Sequence, residues 1–223
     1  MNTKYKILLC ATKLFIEKGY TATYVTMITN MLKISTGNLT FHFPTKEHIL
    51  AELIKKLNSF QHRLEESGDR TEQSLVVGYL AELAMFAAAC EENANLKDLI
   101  IAAYTHPLSM ELMRVNDTAR AMGVFKEYCP EWTEKEFAQA QNVVSGIEYS
   151  MFRTENTQQI TLEQRIVSSI DSIMKIYDVP KNDRQNIIAE VVAADYHDKG
   201  RRIFEEFGKY VEDAYIEKQE VTT

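Results

Sequence analysis

Apolar residues in the first segment fall at Ile7, Leu8, Ala11, Leu14 and Phe15, the spacing of one helical face, and Gly19 stands where such a helix ends. A second, short helix is expected with Thr26 as its N-cap and Met27, Ile28, Met31 and Leu32 on its inner face. Ser35 caps a third, which has to stop before Pro44 because the residue preceding a proline is pushed out of the α region. Two short helices so close together predict a helix-turn-helix. Thr45 then opens a long fourth helix, on which Ile49, Leu50, Leu53, Ile54, Leu57, Phe60 and Leu64 keep period until Gly68.

The helical period continues through 71–90, 96–104 and 108–128, with breaks near Asn93-Ala94-Asn95 and His106-Pro107. Thr133 to Glu136 and Thr161 to Gln164 both match the capping box, so helices are expected to begin there. The first carries Phe137, Ala140, Val143, Val144, Ile147 and Met151, and the second Leu162, Ile166, Ile170, Ile173, Met174 and Tyr177. Adjacent stripes of this length suit a core or a dimer interface. After Pro180 and an Asn182 cap, a last amphipathic segment runs towards Ile216, with an interruption expected near Gly200. There is no internal repeat and no useful strand-like alternation, so the fold class is all-α.

Composition agrees: 45% of the 223 residues are hydrophobic, and 8 Gly and 4 Pro leave little to break helices. Charge adds an asymmetry. Residues 1–60 hold eight Lys and three Glu, while the remainder of the chain holds 17 basic and 29 acidic residues, for a net charge of −7. A basic head on an acidic protein points to an anionic partner for the head. Cys10, Cys90 and Cys129 are far apart and form no CxxC pair, which predicts reduced, buried side chains in a cytoplasmic protein. The opening MNTKYKILLC has too short an apolar run before Lys13 for a secretory signal, and Leu75 to Cys90, interrupted by Glu82, is too short to span a membrane.

The stretch STGNLTFH, Ser35 to His42, has the properties of a helix that enters the major groove: it is short, polar and free of bulky charge. Thr36, Gly37, Asn38 and Phe41 are the candidates for base readout, with Gly37 permitting close approach of backbone to DNA and Phe41 suited to a thymine methyl. Thr26, Thr40, His42 and Lys46 are the candidates for the phosphate backbone, Lys46 adding its charge to the positive end of a helix. Leu39 and Phe43 are expected to anchor the helix inward.

Ile7-Leu8, Ala11, Leu14-Phe15, Gly19-Tyr20, Thr23, Val25, Ile28, Ile34-Ser35, Gly37, Leu39, His42-Phe43-Pro44, Lys46-Glu47 and Leu50 follow an order and spacing that resembles the DNA-binding domain of TetR-family transcriptional regulators. The resemblance covers residues 5 to about 55. It implies a helix-turn-helix DNA-binding domain at 1–47 and a helical effector-binding and dimerisation domain at 48–223. It further implies a homodimer bound to an inverted-repeat operator of double-stranded DNA, most simply a repressor released by a small-molecule effector. Two positions depart from the family pattern. Lys33 stands where a glycine is usual in the turn, which calls for a left-handed backbone at a non-glycine residue, and Thr40 replaces a tyrosine that usually touches phosphate.

For the effector, Met85, Phe86, Tyr104, Met110, Met113, Phe125, Tyr149 and Phe152 are the candidate pocket residues, a flexible and aromatic set suited to an apolar or aromatic ligand. Glu111 and Glu148 lie among them, and sequence does not separate them from surface charges. His42 and His48 lack the further ligands of a metal set, and Asp195-Tyr196-His197-Asp198 reads as a polar helical face. No phosphate loop, nucleophilic triad or paired-carboxylate arrangement is present, so neither catalysis nor a cofactor is expected. The alternative to a regulator is a helical ligand-binding or protein-interaction module without sequence-specific DNA binding.

Overall fold

Asn2 starts the first helix by accepting the Lys4 N–H on its side chain, and Gly19 ends it at φ 84°, a backbone that L side chains avoid. The computed structural model describes residues 2–66, 72–155 and 159–220, with the side chains of 62–66, 72–74 and 214–220 outside the description. In chain order the helices are α1 (Thr3–Lys18), α2 (Val25–Leu32), α3 (Thr36–His42), α4 (Lys46–Glu66), α5 (Glu72–Glu92), α6 (Ala94–Thr105), α7 (Pro107–Phe125), α8 (Glu134–Arg153), α9 (Leu162–Ile176), α10 (Lys181–Ala193) and α11 (Tyr196–Glu220). No strand occurs among the described residues.

Helices α1 to α3 close a small bundle around Ile7, Leu8, Ala11, Phe15, Ile28, Leu39 and Phe43, with Ile49 and Leu50 of α4 completing it. The same α4 then runs on into the body, where it packs against α7. A long pair, α5 and α11, forms the other side of the body, and α8 lies between α7 and α9. Gly200 makes the α5–α11 approach possible: a Cβ there would sit 2.6 Å from the Met85 carbonyl oxygen.

Local signals are borne out where chemistry is local. Ser35 accepts the Asn38 N–H, Thr133 and Thr161 close their capping boxes with Glu136 and Gln164, and Asn93 caps α6. Lys33 adopts φ 53° and ψ 43°, the left-handed turn expected of it. All three cysteines are free and buried.

Several expectations are corrected. Thr26 does not cap α2: the extended residue is Tyr24, whose N–H donates to Met27 Sδ, and Thr26 sits exposed inside the first turn. Met31, expected on the inner face, is 55% exposed, with its sulfur 3.9 Å from Cys10 Sγ of α1. Helix α10 starts directly after Pro180, whose ψ of 149° lies outside the helix, rather than at an Asn182 cap. The last segment breaks at Ala194–Asp195, not at Gly200, which lies within α11. Asp195 caps that helix by accepting the Asp198 N–H. The stripes of α8 and α9 supply core, one of the two roles open to them, while Val143 stays 55% exposed. Gly68 and the Leu64 side chain lie outside the described residues.

Candidate nucleic-acid interface and interior cavity

Helix α3 is divided by burial. Leu39 and Phe43 are sealed into the head, as expected, while Thr36, Gly37, Asn38, Thr40 and Phe41 face solvent and His42 is half-buried. Phe41 is 84% exposed and touches the His42 ring edge-on at 5.2 Å, an orientation that folding of the head does not require. Gly37 has room for a side chain: a Cβ there would have Ser35 Oγ as its nearest neighbour, at 3.9 Å, so nothing inside the chain demands a glycine. Thr40 Oγ1 donates to the Gly37 carbonyl at 3.2 Å. Tyr24, which precedes α2, is 65% exposed; sequence reasoning did not single it out.

Lys46 is placed differently from a free phosphate ligand. Its ammonium donates to the carbonyls of Tyr20 and Thr23 at 2.9 and 3.0 Å and lies 4.1 Å from the centre of the Tyr20 ring. Burial lowers its pKa, against the pull of Glu47 and Asp98. The opposite side of the same corner is held by α6. Asp98 accepts both the Thr21 N–H and the Thr21 hydroxyl at 2.6 Å, Asn95 donates to the Glu17 carbonyl at 2.7 Å, and the His106 ring lies 5.0 Å from that of Tyr20. The α1–α2 corner is therefore gripped between α4 and α6, two helices that continue into the body.

Both helices also line a cavity of about 70 Å³ in the body. Leu53, Ile54, Leu57, Asn58 and Gln61 come from α4, Leu99, Ile100, Ala103 and Tyr104 from α6, and the rest from α5, α7, α8 and α11. Of the candidate pocket residues, Phe86, Tyr104, Met113 and Phe152 line it. Met110 and Tyr149 line a separate outer cleft of about 540 Å³, to which Tyr104 and Met113 also belong. Met85 and Phe125 line neither. Phe125 is instead stacked on Tyr177 at 4.2 Å, because α7 ends against the α9 terminus, and Met85 faces Gly200 with its carbonyl.

The cavity has a polar side that sequence did not disclose. Glu148 is buried, accepting hydrogen bonds from the Tyr104 and Tyr79 hydroxyls at 3.0 and 3.3 Å. Burial first, and then the charge of Asp117, push its carboxyl up to about 8. The two tyrosines rise as well, through burial and then the Glu148 charge. Arg120 pairs with both oxygens of Glu82 at 2.8 and 3.3 Å, and Gln61 donates to Glu82 at 2.6 Å, tying α4, α5 and α7 together. Glu111, by contrast, is exposed and pairs with Arg114. Among the described residues no group of three or more His, Cys, Asp or Glu is placed to hold a metal ion, and no helix is long and apolar enough to cross a membrane.

Residues 7–53 match the family model for bacterial regulatory proteins of the tetR family. Over 54 residues, 24% of this chain, the sequence is 46% identical to the HTH-type transcriptional regulator QacR of Staphylococcus aureus (strain Mu50 / ATCC 700699). The match spans 29% of that relative's length. Salmonella enterica GusR superposes with a TM-score of 0.47 and 17% identity, over 85% of this chain and 93% of that one.

Proposed function

We propose, from a head that is a TetR-family DNA-binding domain, that the protein is a homodimeric repressor released from an inverted-repeat operator by a small-molecule effector. The observation that carries the reading is the division of α3: two apolar anchors buried, and a row of small polar residues with one bare phenylalanine left in solvent. Thr36, Gly37, Asn38 and Phe41 take the base edges, and Thr26, Thr40 and His42 the phosphates. An ammonium has three N–H donors, and two of those on Lys46 are engaged, so one remains for a phosphate while the side chain braces the corner. The two heads enter successive major grooves about 34–36 Å apart, or a multiple of that.

The working division places the head at 1–47 and the effector-binding and dimerisation domain at 48–223, with α8 and α9 pairing with their symmetry mates. An apolar or aromatic effector occupies the cavity and outer cleft. Its effect reaches the head because α4 and α6 each carry cavity wall and corner grip on one rigid element. Coupling requires the effector to prefer one of two placements of these helices; tight binding alone moves nothing.

The test is selection of duplexes from a random pool by the ligand-free protein, followed by a salt titration of the enriched sequence. An inverted repeat whose affinity falls steeply with salt supports the reading, since neutralising several phosphates produces that slope. Failure to enrich any duplex at low salt sinks it and favours a helical binding module instead.

A further inference from the structure

Helix α11 touches three parts of the molecule in turn. Near its start it is held to α5: a Cβ on Gly200 would meet the Met85 carbonyl oxygen at 2.6 Å and the Ala89 nitrogen at 3.4 Å, and His197 Nδ1 and Arg201 Nε lie 3.2 and 3.8 Å from the Glu92 carboxylate. One turn on, Phe204 and Phe207 line the body cavity, Phe204 standing edge-on to Phe86 of α5 at 5.6 Å. Phe60 of α4 meets the rings of Phe207 and Tyr210 at 5.7 and 5.5 Å. The same helix then packs on α1 of the head. A Cβ on Gly208 would have Ile16 Cδ1 as its nearest neighbour, at 3.9 Å, and Val211 beyond it is fully buried. Ile203, Phe204, Phe207 and Val211 make one buried stripe, with Glu205, Glu206, Lys209 and Glu212 in solvent, so a single helical face carries both cavity wall and head contact.

We propose that α11 is a lever that positions the head: an occupant of the cavity, pressing on Phe204 and Phe207, turns α11 about Gly200, and Gly208 carries the movement to α1 through Ile16. The geometry amplifies the movement. A helix rises about 1.5 Å per residue, so Phe204 lies about 6 Å and Gly208 about 12 Å from the pivot, and a rigid turn about Gly200 displaces Gly208 roughly twice as far as Phe204. The pivot holds because α11 has no room to move towards α5 at Gly200, where backbone meets backbone. At the far end a side chain meets the gap left by a glycine, so contact is kept while the helices slide. Asp98 and Lys46 grip the α1–α2 corner, whereas α11 bears on α1 itself, through a residue that precedes that corner. Gly208 and Ile16 are therefore positioning residues. This deepens the regulator reading, and it rests on that reading only for the consequence at DNA.

The experiment fills the cavity from within and reads the head by amide hydrogen exchange of the full chain. Leu83 of α5 lines the cavity, and Leu83→Phe adds volume there without touching the sequence of α11 or α1. Exchange at the Ile16, Glu17 and Lys18 amides is expected to rise about fivefold or more. In an Ile16→Ala background, where the lever has lost its contact, the same insertion is expected to change it by less than about twofold. If Leu83→Phe does not fold, Phe204→Leu serves: it withdraws the lever's own wall and is expected to alter α1 exchange, again only with Ile16 present. Unchanged α1 exchange, a change of the same factor with and without the Ile16 side chain, or a rise shared equally by every helix overturns the proposal. Duplex selection by the ligand-free protein is measured separately. Failure there with the α1 response intact defeats the regulator reading alone, and intact duplex selection with no α1 response defeats this inference alone.

Discussion

Asp98→Ala removes the two bonds by which α6 holds the α1–α2 corner, and their strength can be worked out. The carboxylate accepts from the Thr21 N–H and hydroxyl at 2.6 Å each. A net bond is worth about 1 kcal/mol, and although the acceptor is charged, solvent reaches this corner, so the pair is placed at about 2 kcal/mol rather than higher. A free-energy loss of that size, at about 1.4 kcal/mol per factor of ten, makes local opening of the corner roughly thirtyfold more frequent. Amide hydrogen exchange at Thr21 reads this directly, and Thr21→Val with the double variant closes a cycle that isolates the hydroxyl bond, since valine keeps the N–H. Leu39 of α3 is buried in the head core and makes none of the corner contacts, so its exchange is expected to stay unchanged. Should Thr21 exchange at the same rate in Asp98→Ala as in the native chain, α6 does not hold the head, and the coupling route argued from it fails.

Lys33→Gly relieves a left-handed backbone at a residue with a Cβ and is expected to raise stability by about 1 kcal/mol, or roughly 2–4 °C in melting temperature. The same change removes a positive charge, so duplex affinity is expected to drop only at low salt; a lower melting temperature argues against the strain. Gly200→Ala drives a methyl to 2.6 Å from the Met85 carbonyl oxygen and is expected to destabilise the chain by about 1–3 kcal/mol in a urea melt, with a neutral result showing that α5 and α11 separate easily. Glu148 holds its proton in the folded chain up to about 8, against an ordinary value of 4.5 unfolded. Its contribution to stability is therefore complete below about 4.5 and is lost as pH climbs to about 8, so melts across this window are expected to decline in the native chain and to be flatter in Glu148→Gln.

The helices and the head follow from the sequence because their causes lie within a few residues. Apolar spacing, the Ser35, Thr133 and Thr161 caps, the stop at Pro44 and the left-handed Lys33 all act over one or two turns. The exposure of α3 polar residues follows too, since Leu39 and Phe43 fix which side turns in. Tertiary structure decided what each polar side chain meets. Glu148 finds Tyr79 and Tyr104 at separations of 69 and 44 residues, and Asp98 finds Thr21 across 77. Glu111 and Glu148 are alike in sequence, yet one is solvated beside Arg114 and the other is sealed in a cavity wall. Likewise Lys46, read from its helix start as a phosphate ligand, is drawn onto the carbonyls of a corner that only the assembled head creates. Periodicity determines which face of a helix is buried, but the charge and proton held there depend on which helices pack against it, and that is settled by contacts between segments far apart in the chain.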